Sequence, residues 1–187
     1  MKNFAPHPWV LPQPVLIIGS YNADGTPNAM NAAWGGQWDA RQIMISLGSH
    51  ATSDNIKRTG EFTVAFATQS TMMAADYVGL VSARKQSDKL AATGWKQTRG
   101  EHCNAPVFDC FPMTLECRVH KILDESATGF YLIADIINIC VDENFLDSEG
   151  RPHVEKMKLI SFDPVANTYL ALGEKVGNAF AAGKALL

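Results

Sequence analysis

The sequence predicts a mainly β protein, a β-barrel carrying a few short helices. Three observations carry that expectation. Strand-like segments recur along the chain, Gly, Pro, Asn and Asp mark the turns between them, and the helical stretches are short. Strands and helices do not follow each other in βαβα order, which disfavours a doubly wound sheet.

Taken in order, the Pro-rich opening over 1–13 reads as an arm, because proline cannot sit inside a helix. Pro14 to Tyr21 is apolar and β-branched enough for a buried strand. NADGTP then supplies a turn, with Asp24-Gly25 the strongest hairpin signal in the chain, so that a second strand covers Asn28 to Gly35. A third strand, Gln42 to Leu47, ends at Gly48-Ser49. Thr52, Ser53 and Asp54 are expected to cap a short helix that runs through Ile56 to Arg58 and closes at Gly60. EFTVAFA (61–67) alternates, with Phe62, Val64 and Phe66 on one face. Helices follow over Ser70 to Leu80 and over 87–94, joined by the polar SARKQ. Two long strands, Met113 to Leu123 and Gly129 to Val141, flank DESATG, and a weaker pair, Lys158 to Phe162 and Thr168 to Leu172, flanks DPVAN. The Ala-rich tail over 176–187 reads as a terminal helix.

A chain of 187 residues fits a single domain over 1–187. The net charge of -3, with no long run of one sign, excludes a nucleic-acid footprint. The longest apolar runs fall short of the roughly 20 residues that a membrane helix needs. With no signal-type apolar core near Met1, the expected location is the cytoplasm. Cys103, Cys110, Cys117 and Cys140 are too few for a disulfide scaffold, and the intervals of seven between the first three are too long for zinc-ligand pairs. They read as buried or half-exposed free thiols, with a cysteine activated by His102 or His120 as the competing possibility.

The standard nucleotide, hydrolase and metalloprotease motifs are missing. Ser46, Ser49, His50 and Thr52, just ahead of Asn55 and Lys57-Arg58, stand out instead. Hydroxyls and free amides at a helix start form an anion site, because those amides lack partners and the helix dipole favours negative charge. The competing reading is that Thr52 and Ser53 cap their own helix. In NAMNAAW, small residues at Ala29, Ala32 and Ala33 let a flat ligand approach the backbone, while Asn28 and Asn31 donate and accept hydrogen bonds. A planar heterocycle joined to a phosphate would suit the two segments, although the same alanines also suit a tight core. Lys89 is either a charge for that phosphate or a solvated surface lysine, and Trp34, Trp38 and Trp95 either cover a ligand or pack in the core.

In order and spacing, the segments DGTPNAMNAAWGG, SLGSHATSDNIKRTGEFTVAF, DYVGLVSARKQSDKLAATG, APVFDCFPMTLECRV and FDPVANTYLALGEKVGNAF resemble the flavin reductase-like family, and within it the flavoredoxin type. The resemblance runs from about Pro14 to Lys184. It implies an FMN-binding split barrel, a homodimer holding FMN non-covalently near its interface. Carried over by position, Asn28, Ala29, Met30, Asn31, Ala32, Ala33 and Trp34 would line the flavin ring. Ser46, Leu47, Ser49, His50, Thr52 and Asn55 would sit around the ribityl phosphate, and Lys89 would add charge there. His50 stands where many relatives carry Arg or Lys, which implies weaker or pH-dependent phosphate binding. The implied function is an oxidoreductase moving hydride or electrons from NAD(P)H to a flavin or other small acceptor. The alternative is an electron carrier working with a redox protein, and a ligand-free structural or sensor module is the non-flavin reading. No catalytic side chain is named, since a flavin supplies the chemistry and the protein its placement, and no metal site is expected.

Overall fold

The computed structural model describes residues 1–187. Residues 1–12 carry no strand or helix. The chain then forms β1 (Gln13–Pro14), β2 (Leu16–Tyr21), β3 (Pro27–Ala32), β4 (Gly35–Asp39) and β5 (Gln42–Gly48). There follow α1 (Ala51–Thr59), β6 (Glu61–Phe66), α2 (Met72–Leu80) and a 3-10 turn at Lys89–Thr93. Next come β7 (Gln97–Arg99), β8 (Pro106–Phe108) and the long β9 (Met113–Leu123) and β10 (Gly129–Val141). Last are α3 (Val154–Met157), β11 (Ile160–Asp163) and β12 (Thr168–Ala171).

The expected Asp24-Gly25 hairpin is present. Gly25 takes a φ of 82°, Asp24 Oδ1 accepts from the Thr26 amide at 2.9 Å, and Ser20 pairs with Asn28 in an antiparallel β2–β3 register. The expected strand from Asn28 to Gly35 is instead two strands. In the seven-stranded sheet the order is β3-β2-β6-β9-β10-β5-β4, so β3 and β4 lie at opposite edges. Only Ala33 and Trp34 join them, and so short a tether forces the sheet to curl until its edges approach. The first strand is also broken. β1 belongs to a separate sheet, β1-β11-β12, and Val15 marks the switch.

Strand parity then sorts the core. Leu16 and Ile18 face the inside of the curl with Ile45, Phe62, Val64 and Leu132, and α1 plugs one end through Ile56. Val15 and Ile17 face outward into a second core under α2, with Ala65, Val78, Phe108 and Phe111. Each fully buried aliphatic of these layers contributes about 1.5–3 kcal/mol from burial. Trp95 packs its ring edge-on to Phe111 at 4.9 Å, so it is a core residue, whereas Trp34 and Trp38 are exposed.

Three further expected elements are corrected, and the first is the helix over 87–94, which forms only the 3-10 turn Lys89–Thr93. α1 starts one turn early, after His50, and no side chain caps it. Ser53 Oγ donates back to the Gly48 carbonyl and Thr52 is engaged by Asn28. The tail over 176–187 makes only a 3-10 turn, Ala182–Leu186, because its alanines meet no apolar surface to pack on. β4, β7 and β8 escape a period-2 reading, being short or mostly exposed.

Glu116 on β9 is fully buried and fully partnered. Its Oε2 accepts from the amides of His102 at 2.7 Å and Cys103 at 2.9 Å, and its Oε1 accepts from Asn138 Nδ2 at 2.8 Å and Cys140 Sγ at 3.3 Å. Burial and the neighbouring Glu116 charge push the Cys103 thiol up to about 12, and burial does the same to Cys110. These shifts oppose what an activated nucleophile needs, and the His120 ring pairs with Asp135 at 3.3 Å rather than with a thiol.

Candidate functional site

β3 ends the sheet, so residues from both of its faces can border one space wrapped around its free edge. Asn28 and Met30 point to one side and Asn31 to the other, yet all three line a single cavity of about 200 Å³. The start of α1 closes it through His50, Ala51 and Thr52. The end of α2 and the loop beyond it, Val78 to Ala83, form another wall, and Lys89 lies at the base. Small side chains matter here for a reason of approach: a Cβ on Gly79 would stand 3.0 Å from Asn31 Cβ.

The polar groups of this cavity are cationic or have valences left over. Lys89 is 2% exposed, and its ammonium donates to the Val78 and Val81 carbonyls at 2.8 Å each. No carboxylate bonds it, one of its three protons has no acceptor, and desolvation lowers its pKa to about 8. His50 is held below the ordinary histidine range, first by burial and then by the charges of Arg84 and Lys89. Above it, Arg84 reaches the Ser49 carbonyl at 3.4 Å, Ser49 Oγ at 3.3 Å and Asp54 at 2.7 Å, so a second basic side chain, paired with Asp54, overlooks the α1 N-terminus. Asn28 donates from Nδ2 to Thr52 Oγ1 at 2.8 Å, while its buried Oδ1 has no partner. An orphaned buried acceptor beside uncapped helix amides and a lysine without a counter-ion fits a ligand carrying both N–H donors and negative charge.

The expected site residues divide. Asn28, Met30, Asn31, His50, Thr52 and Lys89 come together in this cavity. Trp34, Ser46 and Leu47 line a neighbouring recess of about 390 Å³ with Thr128 and Tyr131. Ala33 joins Trp34 and Ser46 in a larger apolar recess beneath the N-terminal arm. Ser49 serves Arg84. Ala29 is wholly buried in the second core and Ala32 packs on the first, so neither side chain borders the cavity and the alanines do not form its floor. Asn55 is turned away, donating to Ser20 Oγ at 3.1 Å and Asn22 Oδ1 at 2.9 Å. The reading of Lys89 as a solvated lysine is overturned by its burial. Arg84 is the residue that sequence reasoning missed. Its signal was the basic pair of SARKQ lying five residues before Lys89.

The family model named Flavin reductase like domain matches residues 10–155. No curated protein matches the chain. Among solved structures, the flavoredoxin of Desulfovibrio vulgaris (Miyazaki F) is similar at 33% identity and a TM-score of 0.90, covering 98% of this chain and 99% of its own. A flavoredoxin from Methanosarcina acetivorans is similar at 28% identity and a TM-score of 0.89, with both chains covered completely at 100%. A protein with a split barrel domain from Shewanella frigidimarina shares the fold at 16% identity and a TM-score of 0.77, over 90% of this chain and 86% of that one.

Proposed function

This chain belongs to the flavin reductase-like family, and from that premise we propose that it holds FMN non-covalently at the β3 edge and uses it for redox chemistry. The observation that carries the reading is the pairing of Lys89, a buried cation without a counter-ion, with the partnerless Asn28 Oδ1 in one cavity. The phosphate belongs with Lys89, His50, Arg84 and the first amides of α1. The polar edge of the ring belongs with Asn28, Asn31 and the free edge of β3. A bound FMN would supply a two-electron redox centre between NAD(P)H and a flavin or another small acceptor.

The protein's own part is placement and electrostatics. The cations fix the anionic end, and an asparagine oxygen receives the N–H of the ring. Val78 and Leu80 keep water from one side of the cavity. At about 200 Å³ the cavity is below the roughly 300 Å³ of ordinary ligand sites, so a complete site needs further walls. Exposed Trp34, Trp38 and Tyr131 around the adjoining recesses supply a face for a second copy, which supports a homodimer. No helix is long and apolar enough to cross a membrane. With all four cysteines free thiols, we place the protein, a single domain, in the cytoplasm.

Similarity to flavoredoxins over nearly the whole chain favours a second reading, an electron carrier that exchanges electrons with a redox protein. Two measurements separate the outcomes. Flavin absorption in the purified protein, or quenching of FMN fluorescence on titration, is expected, and failure of both sinks the proposal. Steady-state NAD(P)H oxidation with added flavin or acceptor supports the enzyme. FMN binding without such turnover, together with reduction by a ferredoxin-like donor, supports the carrier.

A further inference from the structure

The C-terminal hairpin β11–β12 lies beyond residues 10–155, the span of the family match, yet one of its side chains meets Asn31, a residue of the cavity wall. Tyr169 on β12 donates its phenol proton to Asp76 Oδ1 at 2.8 Å. A carboxylate can only accept, so that proton is committed and the phenol oxygen is left as an acceptor. Asn31 Nδ2 meets that oxygen at 3.4 Å and the Ala75 carbonyl at 3.1 Å. Both acceptors demand the NH2 end of the amide. The carbamoyl oxygen of Asn31 is therefore left without a partner in the chain, on a residue that lines the cavity. Burial and the hydrogen bond to Asp76 push the phenol up to about 12, so the arrangement persists across the neutral range.

We propose that Tyr169, held by Asp76, is a positioning residue that locks the Asn31 amide with its oxygen turned to the cavity, making Asn31 an obligate acceptor for a ring N–H of the ligand. Asn28 ends in the same state by another route, because Thr52 takes its NH2 and leaves its oxygen orphaned. An acceptor oxygen fixed in this way selects a heterocycle edge that carries an N–H, which the flavin ring has at one position, and disfavours an edge of lone pairs alone. This specificity rests on the FMN reading for its ligand, but the lock itself is a property of the free protein.

A double-mutant cycle read by FMN fluorescence quenching tests the proposal. Tyr169→Phe in the full chain is expected to raise the FMN Kd about threefold to tenfold, as for one modest hydrogen bond. Asn31→Ala is expected to raise it by at least as much, and Tyr169→Phe added to Asn31→Ala is expected to change nothing further. Equal factors in both backgrounds would show that Tyr169 acts by packing alone, and no effect in the native background would show no role; either overturns the inference. Asp76→Ala, which removes the acceptor of the phenol proton, is a second route to the same lock and should follow Tyr169→Phe. In the flavin-free protein, exchange of the Asn31 side-chain amide protons, followed by NMR, should speed up in Tyr169→Phe. Unchanged exchange defeats the lock whether or not FMN binds, whereas faster exchange in a protein that never binds FMN leaves the lock standing and removes the functional reading.

Discussion

Two buried polar regions of this molecule look alike in composition and differ in valence. Around Glu116, a carboxylate on β9 meets two backbone amides, an asparagine and a thiol, and every lone pair it can use is taken. Burial pushes the Glu116 carboxyl up, but the hydrogen bonds from Asn138, His102 and Cys140 outweigh it and leave the group below the ordinary glutamate range. Around Lys89, a cation is equally inaccessible but has no opposite charge, and the asparagine beside it carries an oxygen with nothing to accept. A saturated cluster is finished when the chain folds. An unsaturated one is finished by something that binds, and that difference, rather than burial or charge, separates scaffold from site.

The largest expected effect attacks the saturated side. Glu116→Ala strands four donors, the Cys103 amide buried and the others partly so, and should cost about 3 kcal/mol of stability in urea denaturation, with the FMN Kd of the folded fraction unchanged. A matching loss of FMN affinity would break the comparison. On the other side, Lys89→Met should weaken FMN about tenfold, or ~1.4 kcal/mol, by fluorescence titration.

The pH dependence of Lys89 sharpens the contrast further. Its folded pKa of about 8 lies below the ordinary 10.5, so between these values the unfolded chain binds more protons and stability of the flavin-free protein rises with pH. Thermal melts should show that rise, and Lys89→Met should lose it. FMN affinity should run the other way, falling as pH climbs through about 8 and the ammonium is lost. The smallest expected effect is at His50, whose pKa burial and the nearby charges of Arg84 and Lys89 lower from the ordinary histidine value. His50→Arg should tighten FMN at pH 8 by about threefold, a typical gain for one partly exposed charge contact. An unchanged FMN Kd in His50→Arg at pH 8 would remove His50 from the phosphate.

Much of the fold was legible because its signals are local. The Asp24-Gly25 turn, the paired β9 and β10, the alternation of Phe62, Val64 and Phe66, and the Gly60 and Gly94 helix stops each depend on a few neighbouring residues. The break at Ala33-Trp34 was illegible, since nothing in NAMNAAW says that its two ends pair with strands on opposite edges of a sheet. The site was half legible for the same reason. His50 and Thr52 could be read from a helix start, but Arg84 enters through a contact across 30 residues, to Asp54, and Tyr169 through one across 138, to Asn31. Ala29 and Asn55 are expected in the site from the family resemblance, but strand parity and helix face turn their side chains away from the cavity.

By itself the sequence determined the period of its strands, the places where the chain turns, and a supply of amides, hydroxyls and cations near one helix start. Those follow from backbone sterics and side-chain chemistry within a turn or two. Only tertiary structure decided which of these groups keep a free valence, because that is fixed by what distant strands and loops bring against them. Lys89 is a buried cation and Asn28 an orphaned acceptor only once the sheet has curled and α1, α2 and β3 enclose a common edge.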